Sequence, residues 1–258
     1  MDKKIILASN LGQRGIIDKT LDVIYEIKDS INLTIKDGVF ANILDSTCNS
    51  DVIINVEKNA SVNYYVLNTK NTKKVFNLSG ELNLLEINLD ETDENIKANL
   101  LNENATFNVK LLSFSNNFNS KYSFYVSHKS GKTFSKIENV GVALNGGNLL
   151  FDVTGKIEKG MKASKASQIS RGVIMDDNSN IIINPILLID EYDCFANHGA
   201  AIGKINDEDL FYLMSRGLNK NEAFLLMLQG MIKPYVDSIP TDSLRNKINA
   251  EVLSFITR

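Results

Sequence analysis

The residues best equipped for chemistry sit in one ten-residue run, Asp190-Glu191-Tyr192-Asp193-Cys194-Phe195-Ala196-Asn197-His198-Gly199. Three carboxylates, a thiol and an imidazole fall together there. Cys194 and His198 are the soft and borderline ligands that suit a transition metal. Their spacing works against joint ligation: four residues of extended strand put the two Cα atoms about 13 Å apart, so only a bend or bulge would let one ion meet both. A turn at a strand end is the plain structural alternative, and these residues alone leave it open. The other histidine, His128, follows an alternating run and precedes a turn, where a structural role is the simpler reading. There is no Gly-x-Ser-x-Gly elbow, and neither histidine has a nearby Ser or Cys nucleophile with an obvious orienting carboxylate. Ser130-Gly131-Lys132-Thr133 imitates the end of a phosphate-binding loop. Val126 stands where that loop needs its first glycine, so the stretch reads as a turn carrying an exposed lysine. With no other glycine-rich strand-to-helix element, ATP hydrolysis by this polypeptide is not expected, and the chain reads as a non-enzyme.

Composition narrows the chemistry further. The 258 residues include two His, two Cys, three Pro and no Trp, with 43% hydrophobic residues, 23% charged residues and a formal net charge of -3. The apolar fraction suffices for a core and rules out disorder. The acidic balance gives no general attraction to phosphate, which disfavours nucleic acid as a partner. Two cysteines cannot make a disulfide scaffold, and a closed zinc site would need Cys48, Cys194, His128 and His198 together. The early apolar run Ile5-Ile6-Leu7-Ala8 is short for a signal peptide, and no stretch approaches the ~20 apolar residues of a membrane span. The expectation is a soluble cytoplasmic protein with reduced thiols.

Periodicity says what must position these residues. From about residue 20 to 190 the period is two: Ile31-Leu33-Ile35, Val52-Ile54-Val56, Phe107-Val109-Leu111, Tyr122-Phe124-Val126, Leu149-Phe151-Val153 and Ile181-Ile183. Asn, Asp, Gly and Ser fill the gaps, as in Asp37-Gly38, Asn68 to Asn71, Asn116-Asn117, Asn145 to Asn148 and Asp176 to Asn178. These residues tolerate the left-handed backbone of tight turns. The region is all-β, either a sandwich or barrel of hairpins or a parallel β-helix, and scarce Pro with abundant Asn leans toward the β-helix. Around residue 204 the pattern becomes helical. Asn206 to Asp209 supply a cap and an acidic first turn before Leu210, Phe211, Leu213 and Met214, and Gly217 closes the helix. A second helix is expected from Asn221, bent or ended by Pro234 and Pro240. A third, capped by Thr241 or Asp242, carries Leu244, Ile248, Val252 and Phe255. The expected organisation is an N-terminal segment at 1–20, a β core at 21–203 and a helical segment at 204–258.

The stretches Ala166 to Met175, Pro185 to Ile189, His198 to Ile205 and Asp209 to Leu218 followed by Glu222-Ala223 resemble the core of the SufB/SufD family of the SUF iron–sulfur cluster assembly machinery. His128 to Thr133 and Phe151 to Ile157 extend the resemblance upstream. It implies a right-handed parallel β-helix with a C-terminal α-helical segment. It implies too that this helical segment docks onto a SufC-like ATPase, with Phe211, Tyr212 and Arg216 as candidate contacts, and that the β-helix end pairs with a SufB-like chain or with a second copy. Asn197-His198-Gly199-Ala200 resembles the Ser-His-Gly-Ala of SufD-like chains, rather than the Glu-His-Glu-Ala of SufB-like ones. His198 then matches the family histidine implicated in cluster assembly, and Cys194 is a weaker candidate, because Ala196 stands where the family cysteine is usual. The chain would be a scaffold with no cofactor of its own, sharing a transient cluster with its partner, and it is short for the family, lacking most of the N-terminal helical domain. Two other classes stay in view: a β-helical carbohydrate-active enzyme using Asp190, Glu191 or Asp193, and a homomeric structural β-solenoid.

Overall fold

The structure, a computed structural model, describes residues 4–204, 206–239 and 242–256. The alternating runs each lie in a strand, and the chain is mainly β. In chain order the early strands are β1 (Lys4–Leu7), β2 (Arg14–Ile17), β3 (Val23–Ile27), β4 (Ile31–Ile35), β5 (Phe40–Asp45), β6 (Asp51–Val56), β7 (Ser61–Leu67) and β8 (Lys73–Leu78). They are followed by β9 (Glu81–Asn88), β10 (Asp93–Leu100), β11 (Thr106–Asn116), β12 (Asn119–His128), β13 (Phe134–Leu144), β14 (Asn148–Ile157), β15 (Ser164–Ile174), β16 (Asn180–Ile189) and β17 (Cys194–Lys204). A 3₁₀ turn, Ala8–Leu11, joins β1 to β2.

Odd-numbered strands form one nine-stranded sheet and even-numbered strands an eight-stranded one, each in sequence order and parallel throughout. The chain therefore steps from one sheet to the other and returns one position further along. Stacked partners lie 18 residues apart at Ile24 and Asn42 but 31 apart at Ile137 and Gln168, so the repeat lengthens along the chain. Its corners use asparagine, in turns anticipated from sequence at Asn68, Asn71, Asn117 and Asn145 and in three others, at Asn49, Asn59 and Asn104, that were not. Asn49, Asn59, Asn68, Asn71, Asn104, Asn117 and Asn145 all have positive φ, and Gly146 follows at 83°. Asparagine tolerates this region because its short amide hydrogen-bonds locally.

Register repeats the same parity coil after coil, so inward side chains stack on inward side chains. Tyr64, Phe76 and Phe107 are fully buried, with ring centroids 5.3 and 5.6 Å apart. Each such side chain contributes about 1.5–3 kcal/mol of burial. On the outer face of the even sheet the amides of Asn32, Asn55, Asn77 and Asn99 form a ladder with N···O distances of 2.8, 2.9 and 2.9 Å, one use for the asparagine-rich composition.

Three helices close the chain: α1 (Asp207–Ser215), α2 (Lys220–Val236) and α3 (Asp242–Ile256). Asn206 caps α1, and Gly217, at φ 102°, follows its end with its N–H on the Met214 carbonyl. Asn219 and Glu222 form a reciprocal capping box on α2. Pro234 does not end α2; the helix runs on to Val236, the last turn accommodating the ring. Thr241 and Pro240 lie outside the described residues, as does the side chain of Leu244. Helices α2 and α3 fold back on the outer face of the odd sheet. Leu228, Ile232, Val236, Ile248 and Val252 bury a second apolar layer against Leu44, Leu85, Ile87, Leu112, Phe114 and Val142. Among the described residues no helix is long and apolar enough to cross a membrane.

Candidate functional site

The acidic run divides at its middle. Residues 190–193 form the corner after β16, and Cys194 to Gly199 open β17. Glu191 holds that corner, accepting from the Gly160 N–H at 2.7 Å and the Asp193 N–H at 3.0 Å. Those backbone donors keep its carboxyl below the usual carboxylate range, the reverse of what a general acid needs. The Cys194 thiol donates to the Glu191 carbonyl at 3.1 Å, and partial burial with the nearby charges of Glu191 and Asp193 pushes it up, toward the protonated form.

β17 pairs with β15 without interruption from Ser164↔Cys194 to Ile174↔Lys204. No bulge draws Cys194 and His198 together, and a regular strand keeps their Cα atoms about 13 Å apart. His198 stands in register with Gln168, whose inward row runs back through Ile137, Val109, Leu84, Tyr64 and Ile43. The imidazole therefore sits at the open end of an interior row. It is exposed, while Gln168 beneath it is buried, donates to the Ile186 carbonyl at 3.3 Å and leaves its own Oε1 without a donor.

β17 is the terminal strand of its sheet and β16 that of the other, so each leaves one row of backbone N–H and C=O groups unpaired. Around that end Ile183, Pro185, Leu187 and Ile189 are only half-buried, and Tyr192 and Phe195 are exposed, the latter by 59%. Among the described residues no three His, Cys, Asp or Glu side chains converge as a metal site. The chain thus offers an exposed imidazole at an unfinished edge.

The helical candidates lie on α1 and at its C-terminal cap, Arg216. On α1, Leu210 is buried while Phe211 and Tyr212 are 74% and 57% exposed. Arg216 lies over the Tyr212 ring at 5.2 Å and donates to its hydroxyl at 3.2 Å. Met214 and Leu226 are exposed as well.

His128 is wholly buried, its ring nitrogens 2.7 Å from Thr133 Oγ1 and 2.9 Å from Ser135 Oγ. Burial pushes it down to about 4, so it is a neutral structural histidine. The Ser130–Thr133 stretch is a corner in which Lys132 pairs with Glu103 at 3.0 Å. Sequence reasoning passed over one constellation altogether: Asp45, Lys74, Glu86 and Glu94 are fully buried in the interior, with Tyr64 donating to Asp45 at 2.7 Å. The available signal was parity, since Lys74 alternates with Phe76 and Leu78, and Glu94 with Ile96 and Ala98.

The family model for the SUF system FeS cluster assembly SufBD core domain matches residues 22–231. The chain is 37% identical over 108 residues to the iron–sulfur cluster assembly protein SufD of Bacillus subtilis (strain 168), covering 42% of this chain and 25% of that one. It is 30% identical over 115 residues to an iron–sulfur cluster assembly SufBD family protein of Mycobacterium tuberculosis (strain ATCC 25618 / H37Rv), covering 45% and 14%. It is 25% identical over 151 residues to SufD of Plasmodium berghei (strain Anka), covering 58% and 11%. The matched stretch spans a quarter or less of each of these relatives.

Proposed function

The chain belongs to the SufBD core family of the SUF system, and from that membership we propose that it is a SufD-like, non-catalytic scaffold subunit of a cytoplasmic iron–sulfur cluster assembly complex. In this reading the two alternating parallel sheets are the coils of a right-handed parallel β-helix. The strict alternation of strands supports it, and nearly all parallel crossovers are right-handed. The unpaired end at β16 and β17 joins a SufB-like chain or a second copy, adding strands to the free edges. His198 supplies one ligand to a transient cluster whose thiolates come from the partner, and Cys194 remains a weak second donor. Phe211, Tyr212 and Arg216 dock a SufC-like ATPase, which supplies the ATP hydrolysis.

The observation that carries this reading is His198 on an unfinished edge, at the mouth of the interior row, with no group of companion ligands among the described residues. The test is coexpression with the cognate SufB- and SufC-like proteins, followed by copurification and assay of iron and sulfide. Wild-type protein is expected to copurify with both and to carry cluster, and His198→Ala to lose the cluster while keeping its partners. Failure of the intact chain to copurify with the ATPase removes the docking role, and unchanged cluster yield removes His198.

A further inference from the structure

The interior cluster is independent of the edge and of the helices. Lys74 on β8 is its sole ammonium; it contacts Glu94 on β10, lies 3.6 Å from Asp45 Oδ2 on β5, and donates to Thr72 at 2.9 Å. Asp45 is well supplied: Tyr64 of β7 donates to Oδ2 and the Thr47 N–H to Oδ1 at 2.9 Å. Glu94 takes Lys74 and the Thr72 hydroxyl at 2.9 Å on Oε1. Glu86 on β9 is different. Both of its oxygens are buried without a protein donor, and so is Oε2 of Glu94 beside it. Val66 and Leu111, its stacked neighbours on β7 and β11, are apolar. Tyr122 of β12, next to Glu94 in register, is the remaining titratable group facing the pair.

Three carboxylates around one ammonium would leave two uncompensated negative charges in an interior shut off from water, a state that proteins avoid by taking up a proton. The proton belongs where no donor already satisfies the carboxyl, and a protonated Glu86 turns two orphaned acceptors into a donor–acceptor pair with Glu94 Oε2. We propose that the interior of this stack is a proton-binding site, with Glu86 held as a neutral carboxylic acid hydrogen-bonded to the ionised Glu94. Burial, and then the adjacent Glu94 charge, push the Glu86 carboxyl well above its ordinary value, while Lys74 opposes the shift and, with the Thr72 hydroxyl, helps hold Glu94 below its own. Folding near neutral pH then draws one proton from solution for each chain.

The sign follows from linkage. The native state holds a proton that an unfolded glutamate, with a value of about 4.3, has released, so stability present at low pH is lost as pH rises toward the folded value. Urea unfolding of the full chain and of Glu86→Gln, compared above pH 7 where His128 is neutral both folded and unfolded, reads this directly. The folding constant of the wild type is expected to fall about tenfold per pH unit relative to Glu86→Gln. Parallel pH profiles overturn the proposal, and a slope removed by Glu94→Gln instead of Glu86→Gln overturns the assignment to Glu86. Should Glu86→Gln not fold, infrared spectra of wild type labelled with 13C-glutamate decide at pH 7. A protonated carboxyl band supports the site, and its absence overturns it.

Discussion

At the scale of single residues, the interior sets its own rules of ionisation. His128 is neutral because charging it would strand an imidazolium between two hydroxyls with no carboxylate among its hydrogen-bond partners. Its value is depressed to about 4, so the native state binds fewer protons than the unfolded one between that pH and about 6.5. The contribution of His128 to stability is therefore expected to fall by up to ~3 kcal/mol as pH drops through this window, opposite in sign to that of Glu86, and it is read as the difference between wild type and His128→Gln in urea midpoints across pH 4 to 7. The same parity that buries His128 buries Lys74 and Glu94. A polar residue at an inward position looks, in one sequence, like an interruption of a strand, because the partner that makes burial tolerable stands some twenty residues away. Thr72 and Glu94 illustrate the point, joined across 22 positions. The exposed His198 was legible as a residue of interest, but not its place at the end of a row, which depends on register alone.

At the scale of elements, the helices divide into a layer that belongs to the fold and a face that does not. Leu228 is fully buried against the odd sheet, whereas Phe211 projects from α1 into solvent. Leu228→Ala is expected to cost about 2–5 kcal/mol in thermal or urea unfolding. Phe211→Ala is expected to stay within about 0.5 kcal/mol of wild type in the same experiment. The start and end of α1 were readable, since Asn206 and Gly217 act through chemistry local in sequence, whereas the Asn219–Glu222 box that starts α2 at Lys220 went unread. β17 was harder to read. Its Ala-Asn-His-Gly-Ala-Ala stretch has no apolar alternation; among the described residues it is the last strand of its sheet, and its side chains are largely exposed. What makes it a strand is the ladder offered by β15.

For the whole molecule, the β content and the turn positions followed from period and composition, but the path of the chain did not. Alternation of apolar residues serves a hairpin barrel and a parallel stack equally well. The distinction lies in which strands pair, and Ile54 meets Phe76 across 22 residues instead of a neighbouring strand. The large-scale result is a body whose apolar interior is left half-covered at the β16–β17 end. On the proposed pairing through that end, association should depend on its exposed aromatics. Phe195→Lys is expected to leave the unfolding midpoint within about 0.5 kcal/mol of wild type while weakening pairing, with sedimentation across a concentration series as the measurement.

The lengthening of the repeat has a consequence for how far such pairing can go. Parallel strands stacked in one direction have two unlike ends, and a head-to-tail contact between unlike ends propagates into fibres. Among the described residues the first strand, β1, has four residues and the last, β17, has eleven. A second molecule joined head to tail would set a short ladder against a long one and leave most of the longer edge unmatched. Two trailing edges match each other in length. On the pairing proposed above, this taper of the described strands would favour a closed pair over an endless chain.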